Sequence, residues 1–303
     1  MSFAFFSQII ELLVSLCFFF LFFFLSVLTD LTPTFNFFYY FLFQARILAK
    51  LSHRSIVKVM AINLNKETPF LVMEYCDAGT LKDLLHPRRR KSSRSDSSKG
   101  GKDGKKRSTR VVCSLDLRAR LVLAEQVISA IDYLHGRFVV HRDLKPANVL
   151  LQMVDGVAVA KLTDFGLSRT RSRTGAGLDT VLGGSYPFLA PEAFRSTPIT
   201  QSVDVYSFGI MLHEIVSLEK PWSGYEPFQI TVAVAVEGKR PRIPITKLVP
   251  KSVWSLVKSC WSQDPNQRPV ALEACVTLRS VLNSMDVNMM MVKESPVVEK
   301  NEL

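Results

Sequence analysis

No lysine or arginine precedes Arg46, and no glycine precedes Gly79. The first absence argues against a secretory signal, which opens with a positively charged stretch. The second excludes any glycine-rich phosphate-binding loop upstream of Gly79. Cysteine is also scarce: Cys17, Cys76, Cys113, Cys260 and Cys275 form no C-x-x-C pair and have no histidine at ligand spacing. Neither a disulfide framework nor a zinc site is encoded, and a reducing, cytosol-facing environment fits.

Basic charge is abundant in total but absent from most of the chain. The formal net charge is +11, yet residues 87–110 hold eleven Lys or Arg against two Asp, a local balance of +9, so only +2 is left for the rest. That segment, P-R-R-R-K-S-S-R-S-D-S-S-K-G-G-K-D-G-K-K-R-S-T-R, is a low-complexity insert without the apolar residues that order a chain. A solvated linker is its plainest reading, and docking to acidic partners is the alternative. Lacking interleaved aromatics, it gives no reason to expect specific nucleic-acid binding.

Residues 1–43 carry 14 of the 21 phenylalanines and only two charges, Glu11 and Asp30. Within them Leu12 to Leu28 is uncharged, and 14 of its 17 residues are Leu, Val or Phe. Insertion of such a run into a bilayer is favoured by about 4–8 kcal/mol, and at about 1.5 Å per residue it reaches roughly 25 Å, longer with Ile9 and Ile10. Three readings stand: a membrane anchor over residues 9–28, translated T-rich non-coding DNA, and a buried core or signal segment. With an anchor, the basic residues C-terminal to it leave the remaining chain in the cytoplasm.

Beyond the insert, Leu117, Leu121, Ala124, Ile128, Ile131 and His135 recur at helical steps, and Gly136 stops the helix. Strand-like runs follow at Val139–Val140, Val149–Leu151 and Ala158–Leu162, with Asp155-Gly156 as a turn. Further helices read at about 202–217, 251–261 and 270–283. From Met285 no period is evident, so residues 285–303 are expected to be a disordered tail.

The strongest chemical signal is His141-Arg142-Asp143-Leu144-Lys145-Pro146-Ala147-Asn148, followed by Asp164-Phe165-Gly166. Phosphoryl transfer to a hydroxyl needs a carboxylate near the attacking oxygen, a cation on the moving phosphate and oxygen ligands for magnesium. The two motifs supply each of these in order. On them the chain resembles the protein kinase superfamily from about Gln44 to Leu282. Lysine at position 145 resembles the serine/threonine type, and the Trp261–Pro269 stretch resembles its tyrosine-kinase-like group.

The resemblance implies an α+β, two-lobe kinase-like fold: a mainly helical large lobe (111–284), a truncated small lobe (44–76) and a hydrophobic helix ahead of both. It implies ATP and Mg2+ as cofactors and proteins as substrates. By matching position, Asp143 is the catalytic base and Lys145 contacts the transferred phosphate. Asn148 and Asp164 hold the metal, and Phe165 and Gly166 complete the second motif. Phe70–Cys76 resembles the strand entering the hinge, with Met73 as gatekeeper. Glu74, Cys76 and Leu150 join Met73, Lys145 and Asn148 in the nucleotide-contacting set. Glu192 of Ala190-Pro191-Glu192 is expected to pair with Arg268. Asp204 is expected to hold the catalytic-loop backbone, and Ser185 to bond near Asp143. Thr174 and Thr180, on a polar glycine-rich segment, are regulatory candidates whose phosphate would meet Arg142.

Three family parts are missing together. There is no glycine-rich loop and no small-lobe lysine, and Gln44 stands where the partner glutamate is expected. Two functions therefore compete: a serine/threonine protein kinase, and a membrane-tethered pseudokinase scaffold.

Overall fold

The computed structural model describes residues 45, 48–65, 68–87, 115–164, 185–194, 199–246 and 248–294. The Phe-rich segment 1–43, Gln44 and nearly all of the basic insert lie outside the described residues. No helix among the described residues is long and apolar enough to cross a membrane.

The chain divides into two compact units, Met1–Lys50 with Ala61–Val72, and Leu51–Met60 with Met73–Leu303. Described residues of the first are helical Ala45, Leu48 and Ala49 and the greater part of two paired strands, β1 (Val59–Asn63) and β2 (Phe70–Met73). Asn63 closes the tip of this ribbon: its Nδ2 donates to Thr68 O (2.8 Å) and its Oδ1 accepts from Asn65 N (3.1 Å). Leu64, Phe70 and Val72 remain exposed. A two-stranded ribbon offers too little apolar cover to bury such side chains.

The second unit is built on helices. Thr80 caps α1 (Leu81–Leu85) by accepting from Asp83 N, and Asp116 caps α2 (Leu117–His135) by accepting from Ala119 N at 2.7 Å. The periodic residues Leu121, Ala124, Ile128 and Ile131 are wholly buried. Gly136 is the C-cap of α2 but keeps a right-handed φ of −64°. The left-handed turn falls instead on Phe138 (φ 58°), where Val139 N reaches back to Leu134 O. That return is why Val139–Val140 is not a strand.

A hairpin follows, β3 (Val149–Val154) against β4 (Val157–Leu162), in register from Val149↔Leu162 to Val154↔Val157. Asp155 and Gly156 both take positive φ (50° and 78°), as a two-residue hairpin turn of this hand requires. Helix α3 (Ser202–Ser217) is buried from Val203 to Val216, apolar on nearly every side and therefore central. Short α4 (Pro227–Thr231), α5 (Lys251–Cys260) and α6 (Ala271–Glu294) complete the unit, with α5 on α3 and α6 along α2.

Gly209 permits the close approach of α3 to α5. A Cβ there would stand 2.8 Å from Cys260 Cβ and 3.1 Å from Trp261 N. Gly209→Ala is expected to destabilise by about 1–3 kcal/mol, an overpacking cost visible as a lower urea midpoint.

The expected disordered tail is corrected in its first part, since α6 runs through Met285 to Glu294. Arg118 of α2 grips Asp286 with two bonds, Nε to Oδ1 at 2.5 Å and Nη2 to Oδ2 at 2.8 Å. That pairing holds the Asp286 carboxyl below its usual range. Tertiary contact extends a helix whose own periodicity has lapsed.

Candidate functional site

The loop carrying His141 to Asn148 runs between α2 and β3 and is fastened from beneath by Asp204, in the first turn of α3. The fully buried Asp204 carboxylate accepts from His141 N (2.8 Å), Arg142 N (2.7 Å) and His135 Nε2 (2.9 Å). Such support is needed, because Arg142 holds φ 70°, a left-handed conformation costly for a branched-out side chain.

His141 is also fully buried, and both ring nitrogens are occupied. Nδ1 accepts from Asp143 N (3.3 Å), and Nε2 donates to Thr163 O (3.0 Å). The ring is therefore the neutral Nε2–H tautomer, and burial pushes its pKa below the ordinary value. Burial does the same to His213, whose Nε2 donates to Arg242 O at 2.9 Å. Unfolded histidines take up protons near pH 6.5 while these two do not, so the unfolded state binds more protons as pH falls below that value. Stability is expected to decline on acidification, by up to about 1.4 kcal/mol per pH unit for each ring. Urea midpoints at pH 7.5 and 5.5 check this; equal midpoints would mean that both rings protonate in place.

Above this base four polar side chains converge. Lys145 Nζ lies 2.7 Å from Asp143 Oδ2 and 2.7 Å from Ser185 Oγ. Ser185 donates to Asp143 Oδ1 at 2.6 Å, closing a triangle. Asn148 Nδ2 donates to Asp143 O (2.8 Å) and Oδ2 (2.9 Å), which fixes the amide's orientation and leaves Oδ1 as its uncommitted acceptor. Thr163 N donates to Asn148 O (3.0 Å), so Asp164 begins one residue from Asn148's backbone. Asp164 is exposed and takes φ 60°, which is tolerated better by Asp than by most residues. An ammonium, two carboxylates and an amide oxygen so arranged can steady an alcohol, a phosphate and a hard cation. Phe165, Gly166, Thr174 and Thr180 lie outside the described residues.

Met73 ends β2 and is exposed. Glu74 N donates to Lys58 O (2.9 Å). Ala78 N and Gly79 O bond to Leu151, and Thr80 bridges Leu150, which brings Leu150 beside this segment. Burial, then the Glu74 charge, raises the Cys76 thiol pKa. Farther off, Arg268 and Glu192 form a buried two-bond ion pair, Nη1 to Oε1 at 2.5 Å and Nη2 to Oε2 at 2.8 Å.

Two partners escaped sequence reasoning. His135 was visible only as the last apolar-period residue of α2, with no sign of its bond to Asp204. Glu74 Oε1 accepts from Lys58 N (2.8 Å) and Lys161 Nζ (2.9 Å), a pairing across 87 positions that no motif spells out.

A family model described as protein tyrosine and serine/threonine kinase matches residues 38–278, most of the chain. The chain belongs to that family. The serine/threonine-protein kinase CTR1 of Arabidopsis thaliana is 34% identical to this kinase chain over 246 residues, 80% of the chain and 27% of CTR1. The serine/threonine/tyrosine-protein kinase HT1 of the same plant is 32% identical over 228 residues, 75% of the chain and 50% of HT1. PkaA, a serine/threonine-protein kinase of Streptomyces coelicolor, is 30% identical over 249 residues, 82% of the chain and 40% of PkaA. This kinase chain thus spans half or less of each of these relatives. Family membership implies the two-lobe kinase fold, of which the described residues supply a largely helical unit and few strands.

Proposed function

We propose that the chain is a serine/threonine protein kinase that binds ATP with Mg2+ and transfers the γ-phosphoryl group to hydroxyls of protein substrates. The observation that carries this reading is the triangle of Asp143, Lys145 and Ser185, closed by Asn148 within 2.9 Å. In this role Asp143 accepts the hydrogen bond of the acceptor hydroxyl and aims its oxygen at the γ-phosphorus. As the new P–O bond forms and the bond to the ADP oxygen breaks, the hydroxyl proton passes to Asp143. Lys145 offsets charge on the moving phosphoryl group, while Ser185 keeps acid and ammonium from drifting.

The donor set fits magnesium. Asn148 Oδ1 and the exposed Asp164 carboxylate are hard oxygens, and Asn148's nitrogen is already spent on Asp143. Magnesium, when bound, neutralises charge on the phosphate oxygens. The Glu74 carbonyl, the Cys76 backbone, Met73 and Leu150 are the proposed adenine contacts. Thr174 and Thr180 are proposed regulatory sites, read out through Arg142.

Nucleotide affinity is expected to be low. No glycine-rich loop and no strand lysine stand ahead of the hinge, so the phosphates lose two of their usual holds. Half-saturation at about 1 mM Mg-ATP or weaker stabilises the fold by at most about 0.4 kcal/mol at 1 mM, a shift of about 1–2 °C. A thermal melt of the purified chain with and without 1 mM Mg-ATP tests this, and a shift of several degrees would refute it. Transfer of labelled phosphate from ATP to a generic protein substrate tests the function itself. No transfer at saturating Mg-ATP favours the scaffold reading.

A further inference from the structure

One cavity of the second unit takes no part in the chemistry above. It measures about 200 Å³, and its polar lining comes from Ser52, His53, Arg54, Lys58, Glu74 and Lys161. Glu74 is its single carboxylate, and Glu74 Oε1 is already held by Lys161 Nζ and by Lys58 N. Among the described residues, the side chains of Arg54 and Lys58 have no carboxylate within ion-pair distance. Both are exposed residues at the cavity, which therefore carries two positive charges in excess of its acid.

The histidine adds no third charge. His53 Nδ1 accepts from Ser55 N (3.1 Å), and burial followed by the Arg54 charge holds its pKa down. An aromatic platform for a nucleobase is not on offer, since the nearby Tyr133 ring is engaged by Arg137 at 3.6 Å and by His53 at 5.1 Å. What remains is a small polar hollow with a guanidinium fork and two ammonium groups, the donor set that suits a tetrahedral oxyanion.

We propose that this hollow is a binding site for a small oxyanion of the phosphate class, held by Arg54 and Lys58, with Lys161 shared between the anion and Glu74. The ligand is a free phosphate ion or a phosphoryl group on a small molecule, the chemistry being common to both. Because Lys161 also holds Glu74, occupancy competes for the contact that ties the hinge residue to β4.

Calorimetric titration of the full chain with inorganic phosphate tests the site and requires no ATP, so it stands apart from the kinase reading. Saturable binding is expected, weakened by about tenfold or more in the Arg54→Gln/Lys58→Gln variant. The charge-preserving Arg54→Lys/Lys58→Arg variant is expected to stay within a few-fold of the parent. Equal binding of glycerol phosphate assigns the site to phosphoryl groups on small molecules; binding of inorganic phosphate alone assigns it to the free ion. Phosphate binding that is unchanged in the Gln variant would place the ion elsewhere, on the basic residues 87–110 or beside Lys145, and overturn the proposal. Absence of saturable binding below about 10 mM, a concentration at which even a weak charge-assisted site fills, would overturn it as well.

Discussion

Asp143→Asn is expected to lower phosphoryl transfer at saturating Mg-ATP by about 10²–10⁴-fold, the usual worth of a positioned general base, while leaving the fold nearly as stable. The second half of that expectation follows from the local bonds. Asp143 Oδ2 accepts from Lys145 and Asn148, whereas Oδ1 accepts from the Ser185 hydroxyl alone. An asparagine can keep its oxygen toward Lys145 and Asn148 and turn its amino group toward Ser185, whose hydroxyl accepts as readily as it donates. Packing and hydrogen bonding survive, and only the proton acceptor is lost. Ser185→Ala gives a useful contrast: the carboxylate stays but loses a restraint, so a smaller fall, on the order of tenfold, is expected. Steady-state rates with a protein substrate, beside thermal melts of each variant, separate the two effects. An Asp143→Asn protein as active as the parent would remove Asp143 from the chemistry.

How much of this could be read from the residues depended on how far apart the partners lie. Helix α2 announces itself because its apolar residues recur within one element, and the β3–β4 turn because Asp155-Gly156 is a local demand for positive φ. Helix α3 occupies Ser202–Ser217, the span its pattern gives, although it is buried on almost every side. The end of α6 was illegible for the opposite reason. Nothing near Met285 sustains a period, and what holds the helix is Arg118, 168 positions away from Asp286.

The site shows the same division. His141 to Asn148 forms a continuous string, so the convergence of Asp143, Lys145 and Asn148 is a short-range outcome; Ser185 enters from 40 positions beyond Lys145. Long-range pairs outside the family motifs left no local trace. His135 and Asp204 are 69 residues apart, and His86 and Glu214, whose side chains meet at 2.7 Å, are 128 apart. Their residue types are common, and only the tertiary fold makes them partners. Phe138 adds a subtler case. Gly136 ends the helix as its sequence position suggests, yet the left-handed turn falls two residues later on the bulkier Phe138, where Val139 N returns to Leu134 O.

Arg268→Ala is expected to cost about 3–5 kcal/mol, the largest stability loss among these substitutions, because it takes the two-bond guanidinium partner from a buried carboxylate. The Arg268 side chain is inaccessible and that of Glu192 is 10% exposed, so the pair lies almost wholly away from bulk water. Four further contacts go with it: Nη1 to Ser202 O at 3.0 Å, Nε to Ser262 O at 2.9 Å, Nη2 to Gln263 O at 3.5 Å, and the cation over the Tyr206 ring at 5.0 Å. Arg240 stands over the same ring but cannot step in. Its Nε, Nη1 and Nη2 are committed to Trp261 O, Lys239 O and Gln263 Oε1, each at 2.7 Å. At about 2–4 °C per kcal/mol for a domain of this size, the melting temperature should fall by on the order of 10 °C. Removing both charges in Glu192→Gln/Arg268→Met should be milder than removing the arginine alone, since no unpaired charge is then left inside. Urea denaturation of the two variants decides the matter: a double variant less stable than Arg268→Ala would mean that the pair's attraction, rather than the stranded carboxylate, sets the cost.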